Sequence, residues 1–273
     1  MELFNLGTGG IILRLAMGAG IGFCIGLTGV GGGVLGLQAT TLVLRMDPIM
    51  AVGTTSLYIF LSNISASIHH AKLKTIAWNA VIRILVGAIP ANILVSRWVS
   101  AQGNNAEFKH ALKTFIICIV FFSVGVMITN AIKTLRKKIK DEELHMASEI
   151  QQHWIFRNVL CVLLGGLIGG LIGATSVGGG VLIIPLLIIV FGLSAARTVG
   201  SSVFIAMVLT LITALVYGKD GGLDAPTAII MAVGSLGGVR YGTRLSVKLP
   251  DQLLRLVMIG LILIAAIMML LNR

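Results

Sequence analysis

Residues 28–35 read TGVGGGVL and residues 175–182 read TSVGGGVL. The offset from Thr28 to Thr175 is 147 residues, and it holds without a gap over a long register. Val52-Gly53 falls on Val199-Gly200, Lys72 on Lys219, Val86-Gly87 on Val233-Gly234 and Arg97 on Arg244. Upstream, Gly18, Gly22 and Gly26 fall on Gly165, Gly169 and Gly173. Gly, Val and Leu are common enough here to coincide by low complexity, but the matched Lys and Arg are not. The chain therefore reads as a duplication.

Composition fixes the class in which that duplication is built. The chain has 273 residues, 56% apolar and 11% charged, with a mean hydropathy of +1.00. Soluble domains carry about 25% charged residues, and this chain has too few to cover a wetted surface. The apolar residues fall in runs close to the roughly 20 needed to cross a bilayer. Its 34 glycines would weaken soluble helices, but in lipid they let helix backbones approach. The net charge of +11 sits mostly between apolar runs, as topology signals and headgroup contacts do. No nucleic-acid partner is expected; the lipid bilayer is. Cys24, Cys118 and Cys161 lie inside apolar runs with no CxxC spacing and read as packing residues. The first ten residues carry no Lys or Arg and do not resemble a cleaved signal peptide.

The apolar segments run over about 11–28, 33–45, 51–69, 76–98, 109–132, 157–174, 180–193, 198–217, 225–246 and 252–271. The expected fold is an all-α polytopic membrane protein of two inverted repeats, about five hydrophobic segments each. Five passes is an odd number, so the second repeat enters from the opposite face. Segments 33–45 and 180–193 follow the glycine triplets and are short for a straight crossing; each is a tilted short helix or the return arm of a re-entrant hairpin. The division is an N-terminal membrane repeat over 1–132, an amphipathic linker over 133–156 and a C-terminal membrane repeat over 157–273. The linker carries Lys133, Arg136, Lys137, Lys138 and Lys140, which predicts a cytoplasmic loop. Counting crossings from it places both termini outside.

Gly18, Gly22 and Gly26, with Gly165, Gly169 and Gly173, mark small-residue faces for helix packing. The triplets Gly31, Gly32, Gly33 and Gly178, Gly179, Gly180 favour leaving the helix. Broken backbone at membrane depth survives only against protein or a water-filled cavity. A helix restarting there presents unpaired amides with partial positive charge, which suit an anion. The plain alternative is a tight bend. Thr28 and Thr175 open the two elements. Thr54, Thr55, Ser201 and Ser202 follow them in equivalent positions, and Asn63 aligns with Thr210; these groups either replace an anion's hydration shell or hydrogen-bond helix to helix. Arg83 and Arg240 lie within apolar segments and neutralise an anion or snorkel to an interface. No catalytic residue, metal site or cofactor is expected, because no nucleophile-base set, metal-ligand spacing, P-loop or dinucleotide context is present. The glycine-interrupted segments, in corresponding places of the two halves, match the midplane sites of secondary transporters.

The elements GLTGVGGGVL and GATSVGGGVLIIP, each followed by Val-Gly-Thr-Thr or Val-Gly-Ser-Ser, resemble the sulfite exporter TauE/SafE family of bacterial membrane permeases. The resemblance covers both halves. It implies a permease for small sulfur-containing anions such as sulfite or sulfoacetate in the bacterial cytoplasmic (inner) membrane. Gln38 stands where the second copy has Pro185, so the two half-sites need not be equivalent. The expected function is a secondary transporter working by alternating access, with an anion channel using the same site as the alternative.

Overall fold

The computed structural model describes residues 7–28, 32–102, 105–108, 110–112, 114–116, 118, 125, 154–177, 183–193 and 195–246. The described residues are helical, without strands. The first half supplies α1 (Thr8–Thr28), α2 (Gly33–Gln38), α3 (Pro48–Lys72) and α4 (Trp78–Ala101); the second supplies α5 (Trp154–Thr175), α6 (Ile183–Phe191), α7 (Ala195–Lys219) and α8 (Ala225–Ser246). A π-helical turn over Ala39–Val43 prolongs α2. The whole of the expected segment 252–271, most of 109–132 and most of the basic linker lie outside the described residues. Trp154 to Phe156, assigned from sequence to the linker, are the first turn of α5.

Among the described residues, four helices are long and apolar enough to cross a membrane: α1, α3, α4 and α7. The two short segments are helices of limited reach. The stretch Gly33–Val43 rises about 16 Å and α6 about 13 Å, at most about half of a ~30 Å hydrocarbon core. The outer surface is apolar, with Ile82, Val86 and Leu94 of α4, Leu163 and Leu167 of α5, and Ile229, Val233 and Leu236 of α8 all exposed. Such a surface suits lipid. Helices α3 and α7 form the centre, with 61% and 50% of their span residues buried against 17% for α1.

At the 147-residue offset α3 and α7 correspond end to end, and α1 with α5 and α4 with α8 start within a residue of each other. Their contacts exchange between the halves. A side chain at Gly18 in α1 would strike the Met231 carbonyl in α8, while one at the equivalent Gly165 in α5 would strike the Ile84 carbonyl in α4, the equivalent of Met231. Gly87 meets Val162, and its counterpart Gly234 meets Leu15. Gly53 meets Tyr217 and Gly222, and Gly200 meets His70 and Thr75. Each partner again stands 147 residues from its counterpart, as a two-fold exchange between halves requires. The small residues read from sequence as packing faces are therefore backbone contacts between halves. The last of these pairs also shows that α3 and α7 run antiparallel and touch near both ends, with the midpoint between those contacts around residues 61–62 and 208–209.

Candidate functional site

The site grows from the end of α5. Thr175 Oγ1 donates to the Leu171 carbonyl (2.7 Å) and accepts from the Val177 amide (3.1 Å). Ser176 takes a left-handed φ of 57°, an arrangement that ends a helix. The Val177 amide is thereby withdrawn from the Gly173 carbonyl, which instead accepts from Ser96 Oγ (3.2 Å) and Tyr217 Oη (2.9 Å). One turn earlier, Asn92 Nδ2 donates to the Gly169 carbonyl (3.0 Å). Side chains of both halves thus hold the second glycine element where it leaves its helix.

The first glycine element reaches this point from the other half. Helix α2 closes its first turn with the Gly36 amide donating to the Gly32 carbonyl (2.7 Å). The amides of Gly33, Val34 and Leu35 precede that bond and have no partner within the helix. A Cβ at Gly33 would strike the Ser176 carbonyl oxygen and lie 3.4 Å from Val177 Cα. Only glycine permits this approach. Ser56 of α3 adds a hydroxyl pair with Ser176 Oγ (2.8 Å). The start of α2 and the Ser176-Val177 end of α5 therefore meet between the halves.

The remaining sequence-predicted residues divide into several environments. Thr54 Oγ1 accepts from the Asp224 amide at the start of α8, and Ser201 Oγ accepts from the Ala77 amide at the start of α4, each at 2.9 Å. These bonds are equivalents at the repeat offset and cap helix starts across the interface. Thr55 Oγ1 pairs with Thr40 Oγ1 (3.1 Å), and Ser202 Oγ donates to the Val199 carbonyl (2.9 Å). Gly32 packs against the Ile25 and Ile21 side chains. Asn63 is buried, and its Nδ2 has no hydrogen-bond partner. Arg83 is half-buried in the second turn of α4, and Arg240 is exposed on α8. Gly31, Gly178, Gly179 and Gly180 lie outside the described residues, as does the side chain of Thr28.

Three further groups share the condition of Asn63 Nδ2. Both side-chain polar atoms of Gln38, the Tyr58 hydroxyl and the Ser67 hydroxyl are buried without partners. An unmet buried polar group costs about 1–3 kcal/mol, so several together are a substantial penalty that a ligand could relieve. Among the described residues no Lys, Arg, Asp or Glu is buried. Ser67, one helical turn beyond Asn63, was visible in the sequence as part of a polar stripe. Nothing in its sequence context separated it from residues that bond their own backbone. A polar network at one end of the bundle was also missed: Arg14 Nε donates to Thr227 Oγ1 (2.7 Å), which donates to Asp224 Oδ2 (2.6 Å).

An apolar-faced helical bundle with broken helices and unmet polar groups at its centre is a polytopic membrane protein of the transporter type. The chain belongs to the sulfite exporter TauE/SafE family, whose profile matches residues 13–269. It is similar to the probable membrane transporter protein YjnA of Bacillus subtilis, with 27% identity over 93% of this chain and 97% of that protein. A probable membrane transporter protein of Methanocaldococcus jannaschii is 26% identical over 92% of this chain and 93% of its own. One from Haemophilus influenzae is 26% identical over 65% of this chain and 62% of its own. No solved structure matches the chain.

Proposed function

We propose that this protein is a secondary transporter that moves small sulfur-containing anions, such as sulfite or an organosulfonate like sulfoacetate, across the cytoplasmic membrane by alternating access. The observation that carries the proposal is the apposition of Gly33 and Ser176 between the halves, together with buried polar groups that have no partner among the described residues. The first-turn amides of α2 offer partial positive charge, and Asn63 offers an amide hydrogen. In this reading Gly31 to Gly33 and Gly178 to Gly180 line one shared site, Thr28 and Thr175 frame it, and Arg83 and Arg240 serve the path of the anion. Thr54, Thr55, Ser201 and Ser202 act by holding the interface through the bonds described above.

The halves are then inverted repeats, over 1–132 and 157–273, joined by a cytoplasmic linker, with both termini outside. Rocking of one half against the other exposes the anion to each side in turn. The exchanged contacts supply two interfaces of equivalent construction, α1 with α8 and α4 with α5, about which such a motion is balanced.

Counterflow in proteoliposomes tests the proposal. Liposomes preloaded with unlabelled sulfite should accumulate labelled sulfite above equilibrium. Rapid flux without counterflow would favour an anion channel, and no flux of any sulfur anion would reject both.

A further inference from the structure

The face of α3 that meets α7 carries Gly53, Ser56, Asn63, Ser67 and His70 at helical spacing. Its ends are fixed by Gly53 against Tyr217 and His70 against Gly200. Ser56 is bonded to Ser176. Asn63 and Ser67 lie one turn apart on this stripe, 2% and 3% exposed, with Asn63 Nδ2 and Ser67 Oγ unpartnered. Asn63 lies close to the midpoint between these two contacts.

The opposing face is not equivalent. At the repeat offset, Ser56, Asn63 and Ser67 correspond to Val203, Thr210 and Ala214 of α7. The Thr210 hydroxyl bonds its own helix, donating to the Ala206 carbonyl (2.7 Å). One wall between the two helices therefore offers free donors, and the other offers methyl groups and a hydroxyl already in use. Charge is missing from both. No Lys, Arg, Asp or Glu is buried among the described residues. Of the helices packed on α3 or α7, α2 carries no titratable group, α4 carries half-buried Arg83 and exposed Arg97, α5 buried Cys161 and α8 exposed Arg240 and Tyr241; α1, packed on α8, carries Arg14 and Cys24. His70, bonded to Thr75, and Tyr217, bonded to the Gly173 carbonyl, stand at the two ends of the stripe.

Resting on the transport reading above, we propose that Asn63 and Ser67 are specificity-determining residues that bind the oxygens of a singly charged oxyanion, and that the site rejects the dianion of the same shape. The physical reason is desolvation. The cost of moving an ion out of water grows with the square of its charge, so a dianion loses about four times as much as a monoanion. Neutral amide and hydroxyl donors offset the smaller loss but not the larger one. The donor-poor α7 wall receives the part of the ligand without charged oxygen, such as a methyl group or the hydroxyl side of hydrogensulfite. Substrates of this class are hydrogensulfite and small organosulfonates carrying one negative charge; sulfoacetate, a dianion at neutral pH, fits only with its separate carboxylate held outside this buried stripe.

The test is binding of methanesulfonate, sulfate and sulfite to the purified full-length protein in lipid nanodiscs at pH 6 and pH 8.5. Methanesulfonate and sulfate are near-isosteric, and each keeps a fixed charge over this range. Methanesulfonate should bind at least about tenfold more tightly than sulfate and equally at both pH values, while sulfite binding should weaken as hydrogensulfite loses its proton. Ser67→Ala should weaken methanesulfonate roughly tenfold, and Ser67→Thr, which keeps the hydroxyl, should restore most of the affinity. Sulfate binding as tight as methanesulfonate would overturn the inference while leaving the transport reading standing. So would sulfite binding that does not weaken with pH, or a parallel weakening of methanesulfonate, which would assign the pH dependence to a protein group such as His70. Failure of every sulfur anion to bind would overturn both.

Discussion

Gly33→Ala adds a single methyl group where the two halves come closest. The new Cβ would strike the carbonyl oxygen of Ser176. That oxygen is backbone and cannot rotate aside, and Ser176 is held by its own helix-ending turn and by Ser56. Relief requires the start of α2 and the end of α5 to separate. Overpacking of this kind costs about 1–3 kcal/mol. Alanine recovers up to about 1 kcal/mol of helix propensity over glycine, which leaves a net loss of about 1–2 kcal/mol. At 1.4 kcal/mol per factor of ten, the population of the state with apposed elements should fall roughly five- to thirtyfold, and transport with it. Gly20→Ala in α1 is the control, because a Cβ there meets nothing within 4 Å. Sulfite flux and thermal melting in detergent should both fall for Gly33→Ala and hold for Gly20→Ala. Indistinguishable behaviour of the two variants would refute the reasoning.

Gly32→Ala should be milder than Gly33→Ala in the same assays, because its Cβ meets the movable tip of Ile25 rather than backbone. Thr54→Val and Ser201→Ala should each lower stability by about 1–2 kcal/mol and by similar amounts, since each removes one cap of a helix start across the interface; denaturation in mixed micelles reads this. Asn63→Leu should raise the melting temperature of the unliganded protein, as it removes an unmet buried donor worth about 1–3 kcal/mol, while abolishing sulfite binding. Loss of stability without loss of binding would make Asn63 a packing residue. Gly18→Leu and Gly165→Leu should impair folding alike, because they break equivalent contacts between the halves.

Much of the architecture was written in local pattern. The four-residue spacing of Gly18 and Gly22 and of Gly165 and Gly169 announced close packing, and the offset of 147 residues announced which helices correspond. The bounds of α3 and α7 then coincide at that offset. The partner of each glycine was not legible, because a helix face shows that something packs on it without showing what. The hydroxyls fared similarly. Thr54 and Ser201 stood out as polar groups after the glycine elements, yet their use depends on the starts of α8 and α4, which sequence does not bring near. Ser67 and Gln38 look in the sequence like any other polar residues of these helices. What distinguishes them is the lack of any partner, and that emerges only when every neighbour is placed. The left-handed Ser176 was likewise invisible beside a run of glycines that could have taken the bend themselves.

The central claim is that an anion binds between α3 and α7 at the stripe of Asn63 and Ser67. Crystals of the full-length protein soaked with selenite, with data collected at the selenium edge, would locate it directly. The account predicts one strong anomalous peak between the halves, within hydrogen-bonding reach of Asn63 and Ser67. A peak confined to the surface arginines, with the stripe empty, would contradict it.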